Sequence, residues 1–365
     1  MGMISTLIPV FRESDLLETL LNQLIKDPYK NKEIITVIDE PTKNSLKTVK
    51  KYKNQVKFVL NKERKGKANA LNEAAKTAKG DVFLFLDGDT IISKKAKDFL
   101  KKVEENIKDV DLLEFKKRAF GENLLSRLMN YDYVADGVRS ILFNQIDTCL
   151  GINGAGFAIK KEFFNEVGGF KKVILEDVEM GIQVHLYKKK YKFVKDITIY
   201  QRSPQTFKVW LHQRKRYSIG ALHFLKTHYK DVFKVMLTHP KSSLIILFYF
   251  YPTLLSLFLM SPFIERTILL VFFLLSLKIP IIMPFLFIAS WGLLLFKNAT
   301  VFLIMYGITS TLFYIASKKL QLDYRNRYFL IYYLFYSPFF LVLFTYYFWT
   351  NFFKEEQALL NDWKV

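Results

Sequence analysis

Five apolar runs crowd the last third of this 365-residue chain: Leu244–Phe263, Thr267–Leu277, Ile279–Phe296, Ala299–Ser317 and Tyr328–Phe353. A helix needs about 20 apolar residues to cross the hydrocarbon of a bilayer. The first and last runs reach that length alone. Thr267–Leu277 and Ile279–Phe296 are short and are separated by Lys278 and Pro280. They read as one Pro-broken span, two tilted spans or a re-entrant pair, so four or five crossings are expected. Stretches such as Ser243–Ser261 have no polar face to offer water, which argues against helices of a soluble core.

Charge divides at the same place. Residues 242–365 hold nine of the 54 Lys and Arg and five of the 34 Asp and Glu. Most of the formal net charge of +20 therefore lies in residues 1–241. A basic part joined to an apolar part excludes a disordered chain, collagen and a single soluble domain. The one cysteine, Cys149, excludes a disulfide scaffold and gives no zinc-finger spacing. Lysines such as Lys94, Lys95, Lys97, Lys101 and Lys102 are scattered as on solvated helix faces, and no nucleic-acid motif accompanies them. The expected contact for this charge is the anionic inner leaflet, not nucleic acid.

Orientation is in tension. Lys318, Lys319, Arg325 and Arg327 form the most basic loop of the apolar third, which the positive-inside rule places in the cytoplasm. With the basic part cytoplasmic, that loop is inside only with five spans, and four spans put the tail inside instead. The opening MGMISTLIPVF is too short for a leader and reads as a buried first strand. An integral, multi-pass protein of the cell (plasma) membrane is expected, its soluble part cytoplasmic. Its divisions are 1–204, an interfacial region 205–241, a transmembrane region 242–353 and a tail 354–365.

Before residue 204 the pattern alternates. Ile4–Val10, Glu33–Asp39, Val56–Leu60 and Val82–Leu86 read as strands; Asp15–Lys26, Lys43–Lys53 and Lys67–Ala78 read as helices. Alternation of this kind predicts an α/β fold, a mostly parallel sheet with flanking helices. Ligands in such sheets bind beyond the carboxyl ends of the strands, where Asp39, Asp87 and Asp89 fall. Thr206–Thr238 mixes apolar and basic residues just ahead of the first run, as helices in a membrane interface do. An ordinary basic amphipathic surface helix would read the same way.

Four short segments could carry chemistry. Asp87-Gly88-Asp89 follows a strand-like run and offers two carboxylates to one divalent cation of the Mg²⁺ or Mn²⁺ kind; the same triplet also serves simple turns. Gly66-Lys67 opens a helix, where free N–H groups suit an anion. Glu176-Asp177 opens another, as helix cap or as general base. Gln213-Arg214-Lys215-Arg216-Tyr217 could clamp a diphosphate through its guanidinium groups, or contact lipid headgroups.

Taken in order, these pieces resemble membrane-bound family 2 glycosyltransferases, the group of the hyaluronan, chitin, cellulose and poly-N-acetylglucosamine synthases. Ile8-Pro9-Val10-Phe11-Arg12-Glu13 is similar to the family's IPVYNE, Glu33–Asp39 to its EIIVVDD strand and Gly66–Asn72 to GKAxALN. Gly80-Asp81 with Asp87–Thr90 is similar to GD…DxDT. Asn153–Phe170, with Gly154 and Gly156, is similar to the acceptor-side segment that ends in VGGF. Glu176-Asp177 matches the end of TED, and Gln213–Tyr217 matches QxxRW.

The resemblance implies a GT-A-like domain that binds a nucleotide sugar, UDP-linked. Pro9, Asp39, Lys67, Asp87, Gln213, Arg214 and Arg216 would hold the donor, and Asp89 would hold Mg²⁺ or Mn²⁺. Gly154, Gly156, Glu176 and Tyr217 would face the acceptor, and Asp177 would be the base of an inverting transfer. Glu40 replaces the family's second Asp, Leu175 its Thr and Tyr217 its Trp. Trp363-Lys364-Val365 faintly resembles a Trp motif after the last span. The expected acceptor is a growing glycan, extended processively with export, or alternatively a polyprenyl phosphate or other lipid that receives one sugar.

Overall fold

The computed structural model describes residues 2–94, 98–253, 267, 269–271, 273–274 and 283–354. Part of the run Thr267–Leu277, the second half of Leu244–Phe263, the start of Ile279–Phe296 and the Trp363-Lys364-Val365 ending lie outside the described residues.

β1 (Ile4–Phe11) is buried along nearly its whole length, as a central strand covered on both faces must be. α1 (Leu17–Lys26) follows, burying Leu17, Leu20, Leu21 and Leu24, a stripe spaced for one helical face. Next come β2 (Lys32–Asp39), α2 (Lys43–Tyr52), β3 (Lys57–Asn61), α3 (Lys67–Thr77) and β4 (Val82–Leu86). Thr42 caps α2 reciprocally with Ser45, which ends the strand-to-helix turn after Asp39. Each sequence-read element in this half is present, with ends moved by one or two residues.

β5 (Thr90–Ile92), α4 (Phe99–Ile107), β6 (Leu112–Phe120), α5 (Leu124–Gln145), β7 (Gly156–Lys160), α6 (Lys161–Glu166), α7 (Glu176–Leu186) and β8 (Tyr191–Arg202) complete the α/β part. The eight strands run β3-β2-β1-β4-β7-β6-β8-β5. Parallel pairing joins β3, β2, β1 and β4, so their carboxyl ends share one edge. β7 lies antiparallel between β4 and β6 and carries its loop back to that same edge. One apolar core packs α1 and α4 on one face of the sheet, and a second packs α3, α6 and α7 on the other.

α8 (Phe207–Thr238) is one 32-residue helix, kinked where His228 leaves helical geometry. After it stand α9 (Pro240–Phe250), α10 (Met283–Leu320) and α11 (Asn326–Asn351). The sequence separates the runs Ile279–Phe296 and Ala299–Ser317; from Met283 onward the structure joins them in one continuous helix. Lys297-Asn298 interrupts the apolar character there, but neither Gly nor Pro breaks the backbone. α10 and α11 contain two segments long and apolar enough to cross a membrane, Ile288–Leu320 and Asn326–Asn351. A third core of Tyr131, Phe313, Phe329, Tyr332 and Tyr333 docks both helices on α5.

Candidate active site

The carboxyl ends of β1, β2 and β4, the loop before β7 and the starts of α3 and α7 surround a cavity of about 430 Å³, closed by α8. Its walls include Pro9, Asp39, Lys67, Asp87, Asp89, Gly154, Asp177, Gln213, Arg216 and Tyr217. Eleven of the residues that the sequence singles out fall on or against this one space, counting Glu176 through its ion pair with Lys67.

Register explains the first group. Phe11 of β1 stands opposite Asp39 of β2, and Asp39 opposite Asn61 of β3. Asp39 is buried. One of its oxygens accepts from Asn61 Nδ2 at 2.9 Å, and the other from the Lys65 and Gly66 N–H groups at 3.0 and 3.1 Å. Gly66 has a φ of 86°, a backbone state that disfavours a side chain. Asp39 thus fixes the turn that starts α3 and aims the next residue, Lys67, into the cavity. Arg64, from the same turn, lies over the exposed Phe11 ring, 4.6 Å from its centroid.

Lys67 Nζ sits 2.8 Å from Asp87 Oδ1 and 3.0 Å from Glu176 Oε1. Burial alone would depress its pKa, but Asp87, Glu176 and Asp177 outweigh that and hold the ammonium charged. Glu176 is buried, which works against its charge, yet Lys67 and Arg216 pull its pKa below the ordinary carboxylate value. Asp89 has the opposite balance. Its burial and the neighbouring Asp87 push it up to about 6.

Asp177, the second residue of α7, accepts from Gly154 N–H through Oδ2 at 2.6 Å and from Val178 N–H through Oδ1 at 2.9 Å. Burial and the charge of Glu176 push its pKa up to about 6. A carboxyl in that range both accepts and releases a proton near neutrality.

α8 presents Gln213 and Arg216 together, because residues three apart share a helix face. Among the described residues, Gln213 Oε1 and Arg216 Nε are buried without a hydrogen-bond partner, a state that a ligand in the cavity would relieve. Arg214, one step along, points elsewhere. Its guanidinium donates to Asp132 and to the Tyr336 hydroxyl, each at 2.6 Å, and it does not line the cavity. Its assignment to the diphosphate is therefore corrected: adjacency in sequence is about 100° of rotation on a helix. Gly156 is also displaced from its expected role. It pairs with Leu86 inside the sheet, where a Cβ would lie 3.1 Å from side-chain atoms of Leu86 and of Ile199.

A second cavity of about 320 Å³ adjoins the first and shares Asn153, Leu175, Asp177, Gln201 and Tyr217 with it. Phe250 of α9, Tyr251 just after it, and Phe340 and Phe344 of α11 form one part of its wall.

Residues 5–168 match the model described as Glycosyl transferase family 2. This stretch is a family 2 glycosyl transferase domain. Two curated relatives extend the likeness beyond it. "Probable glycosyltransferase YdaM" of Bacillus subtilis is 28% identical over 68% of this chain and 62% of its own length. "Poly-beta-1,6-N-acetyl-D-glucosamine synthase" of Staphylococcus aureus is 28% identical over 64% of this chain and 58% of its own. The chain thus spans about three fifths of the relatives it matches. A mannosyltransferase, PcManGT from Pyrobaculum calidifontis, solved with GDP-Man and Mn²⁺, superposes with a TM-score of 0.53 at 19% identity, over 63% of this chain and 64% of that one. The α/β part of the family 2 domain has that GT-A fold.

The domain's acidic pair fits a hard divalent cation. Asp87 and Asp89 both line the cavity, and a cation held by them would offset the burial and the Asp87 charge that raise Asp89. Among the described residues no third His, Cys, Asp or Glu joins them as a ready-made cluster, so diphosphate oxygens and water would complete the shell. The sequence reading missed Asn61, Arg64, Asp132 and Tyr336. The first two follow a matched strand and were within reach; the last two meet Arg214 only through tertiary packing.

Proposed function

We propose that the chain is a metal-dependent, inverting glycosyltransferase that moves a sugar from a nucleotide donor, UDP-linked, to a hydroxyl acceptor at a membrane. One observation carries this reading: Asp177, with its pKa near 6, stands where the two cavities meet. The donor takes the first cavity. Its diphosphate meets Lys67, Gln213 and Arg216, and a Mg²⁺ or Mn²⁺ held by Asp87 and Asp89 would supply Lewis-acid neutralisation of the leaving group. The acceptor takes the second cavity, with Tyr217 at the junction.

Chemistry follows from that placement. The acceptor oxygen attacks the anomeric carbon as the bond to the diphosphate breaks, and the acceptor proton passes to Asp177. Lys67 and Arg216 are positively charged before the reaction starts, so the growing negative charge meets fixed partners. A single displacement with one base inverts the anomeric centre.

The acceptor is a growing glycan, for which the Gln213–Tyr217 element and aromatic walls such as Tyr251 and Phe340 provide a surface. The apolar side of the same cavity, open to α11 through Phe344, favours a second reading, one sugar placed on a lipid phosphate. Membranes containing the chain, given radiolabelled UDP-sugars and Mn²⁺, separate the two by product size. Absence of any transfer or nucleotide release across a panel of nucleotide sugars would defeat both.

A further inference from the structure

Arg214 lies in a closed knot that joins three helices. Asp132 comes from α5, Trp210 and Arg214 from α8, and Tyr332 and Tyr336 from α11. Arg214 donates to Asp132 Oδ2 and to Tyr336 Oη, both at 2.6 Å. Tyr336 donates to Asp132 Oδ2 at 2.6 Å and accepts from Trp210 Nε1 at 3.0 Å. Tyr332 donates to Asp132 Oδ1 at 3.2 Å. A phenol has one proton and two lone pairs, and Tyr336 uses all three.

Four rings surround the guanidinium. Its carbon lies 4.8 Å from the centroid of Phe340, 5.3 Å from Trp210, 5.6 Å from Tyr336 and 5.8 Å from Tyr217. Planar stacking with forked donation suits Arg and not Lys. α11 also changes form here: Tyr332–Tyr336 is a π-helical turn, a feature frequent at functional sites. A buried ionic group on a helix that meets the apolar segments is costly unless paired; Arg214 Nη2 is paired with both Asp132 and Tyr336, whereas its buried Nε has no hydrogen-bond partner among the described residues and faces the surrounding rings.

Gln213 and Arg216 sit on either side of Arg214 on the same turns of α8. We infer that Asp132, Arg214 and Tyr336 are positioning residues that clasp α8 to α11 and thereby set where Gln213 and Arg216 meet the donor diphosphate. The inference rests on the diphosphate role proposed for Arg216. The clasp makes donor binding depend on the apolar helix, although no residue of α11 lines the donor cavity. Shifts of about 1 Å in a positioning group cost on the order of 100-fold, so small losses in the clasp are readable.

The test is UDP affinity in the full-length protein in detergent, by calorimetry with Mn²⁺. Tyr336→Phe removes one oxygen and leaves the ring stacking; it should weaken UDP binding at least fivefold with the melting temperature retained. On an Arg216→Ala background the same change should add no further loss, because both act through one contact. Arg214→Lys should weaken UDP as Tyr336→Phe does. Unchanged UDP affinity in Tyr336→Phe, or losses that add in full to those of Arg216→Ala, would overturn the clasp. If Tyr336→Phe fails to fold, Tyr332→Phe takes its place, with a smaller loss expected in the same direction and no loss counting against the inference. Arg216→Ala without effect on UDP would instead sink the diphosphate reading and the clasp with it, while wild-type binding and loss in Arg216→Ala leave the clasp to be judged on Tyr336 alone.

Discussion

Gly154 donates its N–H to Asp177 Oδ2 at 2.6 Å, and a Cβ built on Gly154 would lie 2.6 Å from that same oxygen. The glycine is required by close approach, not by its backbone angles. Its hydrogen bond sets the direction of the carboxylate, and its missing side chain is what lets the carboxylate reach it. Gly154→Ala should therefore displace Asp177 while leaving the donor site intact. We expect kcat to fall about 100-fold with UDP affinity within twofold, measured by initial rates and calorimetry. A variant with normal kcat would remove this contact from the mechanism.

Asp177→Asn is nearly isosteric and takes away the proton acceptor. Transfer should be abolished and UDP binding kept, since the diphosphate contacts lie on Lys67 and Arg216. In the unsubstituted protein, burial and Glu176 push the Asp177 pKa up to about 6. Below that pH the carboxyl is already protonated and cannot act as base, so kcat should drop about tenfold per pH unit under 6 and level off above it. Saturating Mn²⁺ keeps the Asp89 titration out of the profile. A rate that stays flat from pH 5 to 8 would contradict the assignment.

The carboxylate pair behaves differently. Asp89 titrates high because it is buried beside Asp87, and bound cation would favour its charged form. Asp89→Asn keeps the shape and loses the charge. It should remove the gain in UDP affinity that Mn²⁺ or Mg²⁺ confers, of about tenfold or more, while affinity measured in a chelator stays the same. Equal metal enhancement in both proteins would place the cation elsewhere.

Most of the lining of the first cavity was legible because it is local. Asp39, Lys67, Asp87 and Asp89 each stand at the end or start of an element whose pattern is plain in the sequence, and parallel pairing brings such ends together. Gln213 and Arg216 were legible through the resemblance of Gln213–Tyr217 to QxxRW, and α8 then puts these two residues on one face. Arg214 was not, because its partners Asp132 and Tyr336 lie 82 and 122 positions away, and nothing in a short motif shows which way its second residue faces. Gly156 was misplaced for a related reason: it belongs to the segment that resembles the family's acceptor side, whereas in the sheet it lies close against Leu86 and Ile199. The continuity of α10 was hidden by Lys297-Asn298, a polar pair that resembles a loop in composition while keeping helical geometry.

α10 and α11 carry the remaining prediction. Phe285 and Phe296 are each 73% exposed, and Val342 and Trp349 are 64% and 63% exposed. Each large apolar side chain left in water forgoes about 1.5–3 kcal/mol, and these belong to a continuous apolar surface, not to isolated positions. Lipid is the solvent that fits such a surface. We expect an alkaline carbonate wash to leave the chain in the membrane pellet and a mild detergent to release it in active form. Phe296→Lys places a charge on that face, where insertion costs about 2.5–3.5 kcal/mol, so the variant should be recovered in lower yield from the membrane fraction. Release of the unsubstituted chain by carbonate alone would mean that another protein, not a bilayer, covers these helices.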